Sequence, residues 1–409
     1  MPRPRKRAVG LVFGAGLLFF LGTNVQAGWL FVMAASLLGA VVAGVVLPAL
    51  MLRGVELDRR APDEVHQLDE VLVDVGVTNR SRGMRFGLVV ADAFLDPTRL
   101  AVPPLRRGER VEITTTRVAR RRGPQASATL TVRSSAPFGI AEHRRARRVA
   151  GTATLVLPAV IPLGPLMFVH PTATTDHAIH SAPRRGHGPE YLGIREYRAG
   201  DSMRHVHWPS TARMGTVMVR EFEQEQTRRL AIVVDASWDA RSQGWTPLDR
   251  TCCAAASVAS AALAQGHGAR LILAAGEGID VLARADGSEL LRRLALVAAD
   301  PGLGFPDLVG ELGPELRGVE TAVLVFSARR NGGRDALSEA VASLTVRVPH
   351  VVVIPVEVTE AEDARETLPE GAWSALEEGL RRAGAEVYPW RSDDDLAALL
   401  SPGVGRAAS

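Results

Sequence analysis

From Ala8 to Leu52 the chain carries no charged residue, an unbroken stretch of 45 positions in a protein of 409. A bilayer core of about 30 Å is crossed by roughly 20 helical residues, so this stretch predicts two crossings rather than one. The polar cluster Thr23-Asn24-Val25-Gln26, flanked by Gly22 and Gly28, marks the turn between them. The spans are then about Ala8–Gly22 and Ala27–Leu52, the first of them short for a bilayer. Arg3, Arg5, Lys6 and Arg7 precede the hairpin, Arg53, Arg59 and Arg60 follow it, and the turn holds no Lys or Arg. By the positive-inside rule both ends of a two-pass cell-membrane protein lie in the cytoplasm. A secretory signal cleaved near Val25-Gln26-Ala27 is the competing reading, and the second apolar run directly behind it argues against that.

The remainder has globular composition, 46% hydrophobic and 23% charged. Basic residues (48) nearly balance acidic ones (45), and all but Lys6 are arginine. The arginines are spread along the chain. The runs within 106–122 and 143–148 have no aromatic platform or helix-turn-helix beside them, which disfavours nucleic acid as a partner. Lipid headgroups at the membrane surface suit them better. The two cysteines, Cys252 and Cys253, are adjacent in an Ala-rich helical pattern. They offer neither a disulfide framework nor a thiolate zinc site, which fits a reducing compartment.

Five segments are expected: a membrane hairpin (1–53), a small antiparallel β-sandwich (54–160), a linker (161–189), a signature segment (190–228) and an α/β domain (229–402). In the second, Val71, Val73, Val75 and Val77 share one face, and Ala126, Ala128, Leu130 and Val132 another, the alternation of half-buried strands. Turn signals at Asn79-Arg80-Ser81, Asp96-Pro97, Arg107-Gly108 and Arg122-Gly123-Pro124 separate short strands of immunoglobulin-like character. The linker is rich in proline and glycine and should run extended over the surface or be partly disordered.

The α/β domain opens on the apolar run Leu230–Val234, the pattern of a buried parallel strand. A helix over Leu248–Gln265 closes at Gly266. Strands are predicted at 271–275, 279–283, 322–326, 350–358 and 386–390, and helices at 289–298, 335–344, 373–383 and 394–400. The alternation predicts a doubly wound sheet with ligands outside the carboxyl ends of its strands.

The signature segment is the densest in chemistry. Asp201 stands where an N-cap would start a short helical turn through Trp208, which Pro209 would close. Arg195, Arg198, Arg204 and Arg213 can fork carboxylates such as Glu196 or Glu221. A structural role would have these pairs and Trp208 clamp the linker onto the following sheet. His205 and His207 are two apart and could share a metal, and His207, Asp201 and Ser210 could be drawn as a hydrolase trio, although no nucleophile-elbow pattern accompanies them.

Read in order, Gly193-Ile194-Arg195-Glu196-Tyr197, Gly200-Asp201, Val206-His207-Trp208, Thr211-Ala212-Arg213 and Val219-Arg220-Glu221-Phe222 resemble the blocks of a bacterial family, domain-of-unknown-function family fifty-eight. Ser135-Ala136-Pro137-Phe138-Gly139 resembles the family's Asp-Pro-Phe-Gly segment, with Ala136 in place of the Asp. The resemblance implies a membrane-anchored protein with a von Willebrand A-like domain and signature residues Arg195, Glu196, Tyr197, Asp201, His207, Trp208, Arg213, Arg220 and Glu221. In the same vein, Asp235-Ala-Ser237-Trp-Asp239 resembles the start of the metal-ion-dependent adhesion site of von Willebrand A domains. Three oxygen side chains at alternate positions suit a hard divalent cation such as Mg²⁺. The site is degenerate, with Asp239 in place of a Ser, Ser327 where an acidic residue belongs and no Thr between Asp300 and Asp307. Without metal, Asp235 and Ser237 would cap the following loop. The family further implies a non-enzymatic adaptor or scaffold that binds partner proteins, an AAA+ ATPase of the MoxR type first among them. The alternative is a metal-dependent hydrolase using the Asp235 cluster or the His205/His207 segment.

Overall fold

The computed structural model describes residues 3–4, 6–127, 129–149, 153–166, 168–169, 185–197, 203, 206–223, 229–240, 245–275, 278–282, 286–300, 304–328, 333–357, 368–392 and 394–401, some of them by backbone alone. Two units emerge, one of residues 1–159 with 291–297, the other of 160–290 with 298–409.

The first unit begins with a two-residue strand, β1 (Arg3–Pro4), and two helices, α1 (Lys6–Val25) and α2 (Gly28–Met51). Both helices are long and apolar enough to cross a membrane, and large apolar side chains such as Phe13, Phe20, Trp29 and Val32 stand exposed on them. The first helix does not end at Gly22 as expected. Thr23 Oγ1 and Asn24 Nδ2 donate back to the Phe20 carbonyl at 2.6 and 2.9 Å, so these polar groups are satisfied within the helix and do not break it. The turn is confined to Gln26, which takes φ 54°, and Ala27.

The strands that follow are β2 (Val55–Arg60), β3 (Glu64–His66), β4 (Glu70–Asn79), β5 (Leu88–Asp92), β6 (Thr98–Val102), β7 (Arg110–Val118), β8 (Gly123–Ala126), β9 (Thr129–Ser134), β10 (Ala141–Arg148) and β11 (Ala153–Leu157). They form a five-stranded sheet, β1-β10-β9-β5-β6, and three-stranded sheets β2-β4-β7 and β3-β11-β8. Val71, Val73, Val75 and Val77 from one sheet and Leu88, Val90, Leu130 and Val132 from another meet in a single core, as the alternation requires. Within it lies a charged trio. Arg59 Nη1 and Arg117 Nη1 donate to the two oxygens of Asp92 at 2.9 and 2.7 Å, and all three side chains are fully buried. The Arg59 guanidinium also lies 4.0 Å from the centre of the Phe94 ring. Arg59, expected among the cations that follow the hairpin, is therefore engaged in the core.

In the second unit, residues 160–166 are held by Ile161 N donating to Ser257 Oγ (2.9 Å) and Gln265 Nε2 donating to the Gly164 carbonyl (3.2 Å). Residues 170–184 of the expected linker lie outside the described residues, and its end is already strand, β12 (Arg185–Glu196). Next come α3 (Trp208–Met214), β13 (Met218–Glu223), β14 (Arg229–Asp235), α4 (Pro247–Ala264), β15 (Gly268–Ala275), β16 (Gly278–Leu282), α5 (Gly287–Leu296, of which residues 291–296 belong to the first unit), α6 (Phe305–Glu311), β17 (Thr321–Ala328), α7 (Arg334–Thr345), β18 (His350–Glu357), α8 (Glu370–Arg382), β19 (Glu386–Val387) and α9 (Leu396–Leu400). β12 and β13 form an antiparallel pair, and the other strands one sheet of order β16-β15-β14-β17-β18-β19. Only its edge strand β16 runs antiparallel.

Alternate residues of the sheet serve two layers. Ala231, Val233, Ile272, Leu324 and Val353 join a core with Phe305 and Leu308 of α6, Val341 of α7 and Trp373 and Leu380 of α8. The intervening Leu230, Ile232, Val234 and Val325 are equally buried, and α4 packs against β14, β15, β17 and β18. α4 starts with a reciprocal cap: Asp249 N donates to Thr246 Oγ1 at 3.1 Å and Thr246 N to Asp249 Oδ2 at 3.3 Å, with Pro247 in the first turn. Its small side chains, Cys252 and Cys253 among them, are buried and let the helix lie close on the sheet. Burial pushes the Cys253 thiol up to about 12.

Candidate functional site

Strand order decides where a crevice forms. The chain moves from β14 to β15 on one side and later places β17 on the other side of β14. The connections leaving β14 and β17 therefore diverge at their carboxyl ends, the usual place for a ligand in an open α/β sheet. A cavity of about 220 Å³ lies there, lined by Asp235, Phe326–Ala328, the start of α6 at Gly304–Asp307, the start of α7 at Gly333–Leu337, and Leu376. Phe305 and Phe326 form part of its wall, ring centroids 5.6 Å apart. Asp235, Asp307, Ser327 and Arg334 supply the polar groups. The volume is below that of a typical small-molecule pocket and suits one side chain or a hydrated ion.

Of the three residues expected to hold a metal, only Asp235 lines this cavity. Its Oδ1 accepts from Ser237 N at 2.9 Å and Ser237 Oγ at 2.6 Å, the loop-capping arrangement. Asp239 turns toward α4, where its Oδ1 accepts from Leu248 N at 3.1 Å and Ala240 N at 2.9 Å. Burial raises its carboxyl above the usual range, against the opposing pull of those hydrogen bonds. Among the described residues no three His, Cys, Asp or Glu side chains group as a metal site. Ser327 Oγ lies 3.1 Å from Thr251 Oγ1. The sequence reading placed Ser327 at a strand end but missed Asp307 and Arg334. Their signals were local: Gly304 before Pro306 in the first turn of α6, and Gly333 (φ 64°) before α7.

The signature blocks fold into a small motif. Gly193, Ile194, Arg195 and Glu196 pair with Glu221, Arg220, Val219 and Met218 across β12 and β13. The side chains of Arg195, Arg220 and Glu221, and all of Arg198, Asp201, Arg204 and His205, lie outside the described residues. The expected turn closed by Pro209 is not what forms. α3 starts at Trp208, has Pro209 in its first turn and ends at Gly215 (φ 70°). A proline's missing N–H costs nothing where helical N–H groups have no partner anyway. His207 is the N-cap: its Nδ1 accepts from Ser210 N (3.3 Å) and lies 2.8 Å from Ser210 Oγ. Thr211 Oγ1 donates to the His207 carbonyl and accepts from Met218 N at 3.0 Å, which fastens α3 to β13. Arg213 sits exposed in the last turn of α3, favourable to the helix dipole.

Trp208, expected to clamp the linker, is 65% exposed. Met203, Met214, Tyr197 and Val217 are also exposed, and Tyr197 N donates to the Val217 carbonyl at 2.7 Å. The motif thus presents aromatic and thioether side chains to solvent.

The family model described as "Protein of unknown function DUF58" matches residues 193–377. Residues 193–377 thus belong to that family. The DUF58 match takes in the end of β12 from Gly193, α3, β13, the Asp235 turn and every lining residue of the cavity. No curated protein matches the chain. Among solved structures, the CARDB domain of a Pyrococcus furiosus protein is similar at 12% identity, over 24% of this chain and 94% of that one (TM-score 0.17). The Pseudomonas fluorescens alkylpurine DNA glycosylase AlkC, bound to DNA containing an abasic site analogue, is similar at 10% identity over 33% and 45% (TM-score 0.16). A GH20 exo-β-N-acetylglucosaminidase from Vibrio harveyi is similar at 10% over 82% and 76% (TM-score 0.21). Likenesses at this level carry no argument about what the DUF58 protein does.

Proposed function

We propose that this DUF58 protein is a membrane-anchored, non-enzymatic adaptor that holds a partner protein through its signature motif. α1 and α2 would cross the membrane with both ends of the chain in the cytoplasm, given the cations on either side of the hairpin. The first unit would be an immunoglobulin-like spacer. The six-stranded sheet, with its antiparallel edge and helices on two faces, supports a von Willebrand A-like reading of the second unit. The observation that carries the proposal is the exposed group Tyr197, Met203, Trp208, Met214 and Val217: aromatic and methionine side chains are enriched where proteins meet. An AAA+ ATPase of the MoxR type is the partner the family suggests. Asp235 and Asp307 would serve a divalent cation at the cavity, Mg²⁺ first, and a partner's carboxylate could complete its ligands.

The test is a photo-cross-linker in place of Trp208 in the full-length protein in its own membrane. An adduct containing an AAA+ ATPase is expected, and it should disappear in Met214→Asp. An adduct pattern unchanged by Met214→Asp, or no adduct, would overturn the adaptor reading. For the cation, Mg²⁺ titration should release heat with the wild type and not with Asp235→Ala; equal heats remove the ion. The hydrolase alternative would lean on the His207–Ser210 contact, which helix capping accounts for as well.

A further inference from the structure

The Ser135–Gly139 segment has no part in that reading, yet it is a built feature. It forms the tip of the β9–β10 hairpin, closed by Gly139 N donating to the Ser135 carbonyl at 2.7 Å and steadied by Ala136 N donating to Ser134 Oγ at 3.3 Å. At this tip Phe138 is 50% exposed, while the next residue but one, Ile140, is buried. Ile140 packs on Gly44 of α2 so closely that a Cβ there would lie 2.7 Å from its Cδ1. Gly44 stands two turns before the end of α2, roughly 10 Å along the axis at 1.5 Å per residue. β10 also pairs with β1 immediately before α1, Arg3 opposite Glu142 and Pro4 opposite Ala141. The tip is thereby fixed beside the same ends of both apolar helices.

Beyond Glu142, β10 has no neighbour on its outer side among the described residues, and this free edge carries cations. Arg144 and Arg145 are exposed and form no ion pair among the described residues. At about 3.3 Å per residue they stand roughly 13–17 Å along the strand from Ile140, on the side away from the tip. An apolar ring at the tip and cations one step back match the order of layers in a membrane, acyl chains and then phosphate headgroups. Cations on an open edge also discourage strand-to-strand aggregation, but that role needs no exposed phenylalanine beside a membrane helix.

We propose that the β9–β10 tip is a wedge at the membrane interface, Phe138 entering the acyl boundary while Arg144 and Arg145 bind anionic lipid headgroups. The wedge rests on α1 and α2 crossing the bilayer. It would set the first unit down on the membrane surface and make its stance sensitive to anionic lipid.

The test uses the full-length chain in vesicles of phosphatidylcholine alone or mixed with phosphatidylglycerol. A nitroxide is attached at Phe138→Cys; Cys252 and Cys253 are fully buried and stay unlabelled. Dissolved oxygen should relax this label more than a water-soluble nickel chelate does, and more strongly so in the phosphatidylglycerol vesicles. Arg144→Gln with Arg145→Gln should abolish the difference between the two lipids. A label relaxed chiefly by the chelate overturns the wedge, and a lipid dependence that survives the double substitution overturns the headgroup contact. A second label at Val42→Cys on α2 separates the two readings. If 42 reports lipid and 138 reports water, only the wedge fails; if both report water, the membrane anchor fails with it.

Discussion

Asp92 is the side chain on which the first unit's core most depends. It answers two buried guanidinium groups at once, and removing one partner of a buried pair leaves charge uncompensated at a cost of about 3–5 kcal/mol. Asp92→Ala should therefore lower unfolding stability by that order in denaturant titrations of the detergent-solubilised protein. Glu56→Ala, which breaks the exposed pair with Arg80, should cost under about 1 kcal/mol. The thiols report on the second unit. Cys253 is raised from 9.0 to about 12 by burial, so the unfolded chain ionises first. Its contribution to stability is intact below about pH 9 and is lost as pH rises toward 12. At pH 8 a thiol reagent should leave both cysteines untouched until the protein is denatured, and prompt reaction of the native protein would contradict their burial.

At the level of elements, α4 offers the sharpest test. Thr246→Ala removes the side-chain acceptor of its cap and should cost about 1 kcal/mol, read as a shift of the second unfolding transition without change in its denaturant slope. The apolar β14 run and the long uncharged stretch are written in contiguous residues, so both were legible beforehand; of α4 the helix was legible, expected from Leu248, but not its cap. α6 was not: Phe-Pro-Asp-Leu-Val-Gly-Glu is too short and too rich in helix breakers to show a period. α3 was misplaced because proline ends a helix in one position and begins it in another. Of the crevice only its place, at the carboxyl ends of the strands, was legible, since its walls come from five stretches of chain that only the strand order brings together. The Asp235 turn was legible in two ways, as a cation site or as a loop cap, and its Oδ1 makes the hydrogen bonds of the cap.

For the molecule as a whole, removing residues 1–53 should release the remainder from membranes into carbonate wash, while the full-length chain stays in the pellet. A reporter that matures only in the cytoplasm should be active when fused after Ser409; an inactive one would reverse the proposed orientation. The sheet of the second unit holds a last consequence. Its middle strand, β14, is the first of the six to leave the ribosome, and later strands are laid on its left and right in turn. A nascent chain halted before Thr321 would already have its signature hairpin and one flank, but one wall of the crevice would not yet have been synthesised. Whatever docks on the hairpin can thus meet the protein before anything that needs the crevice.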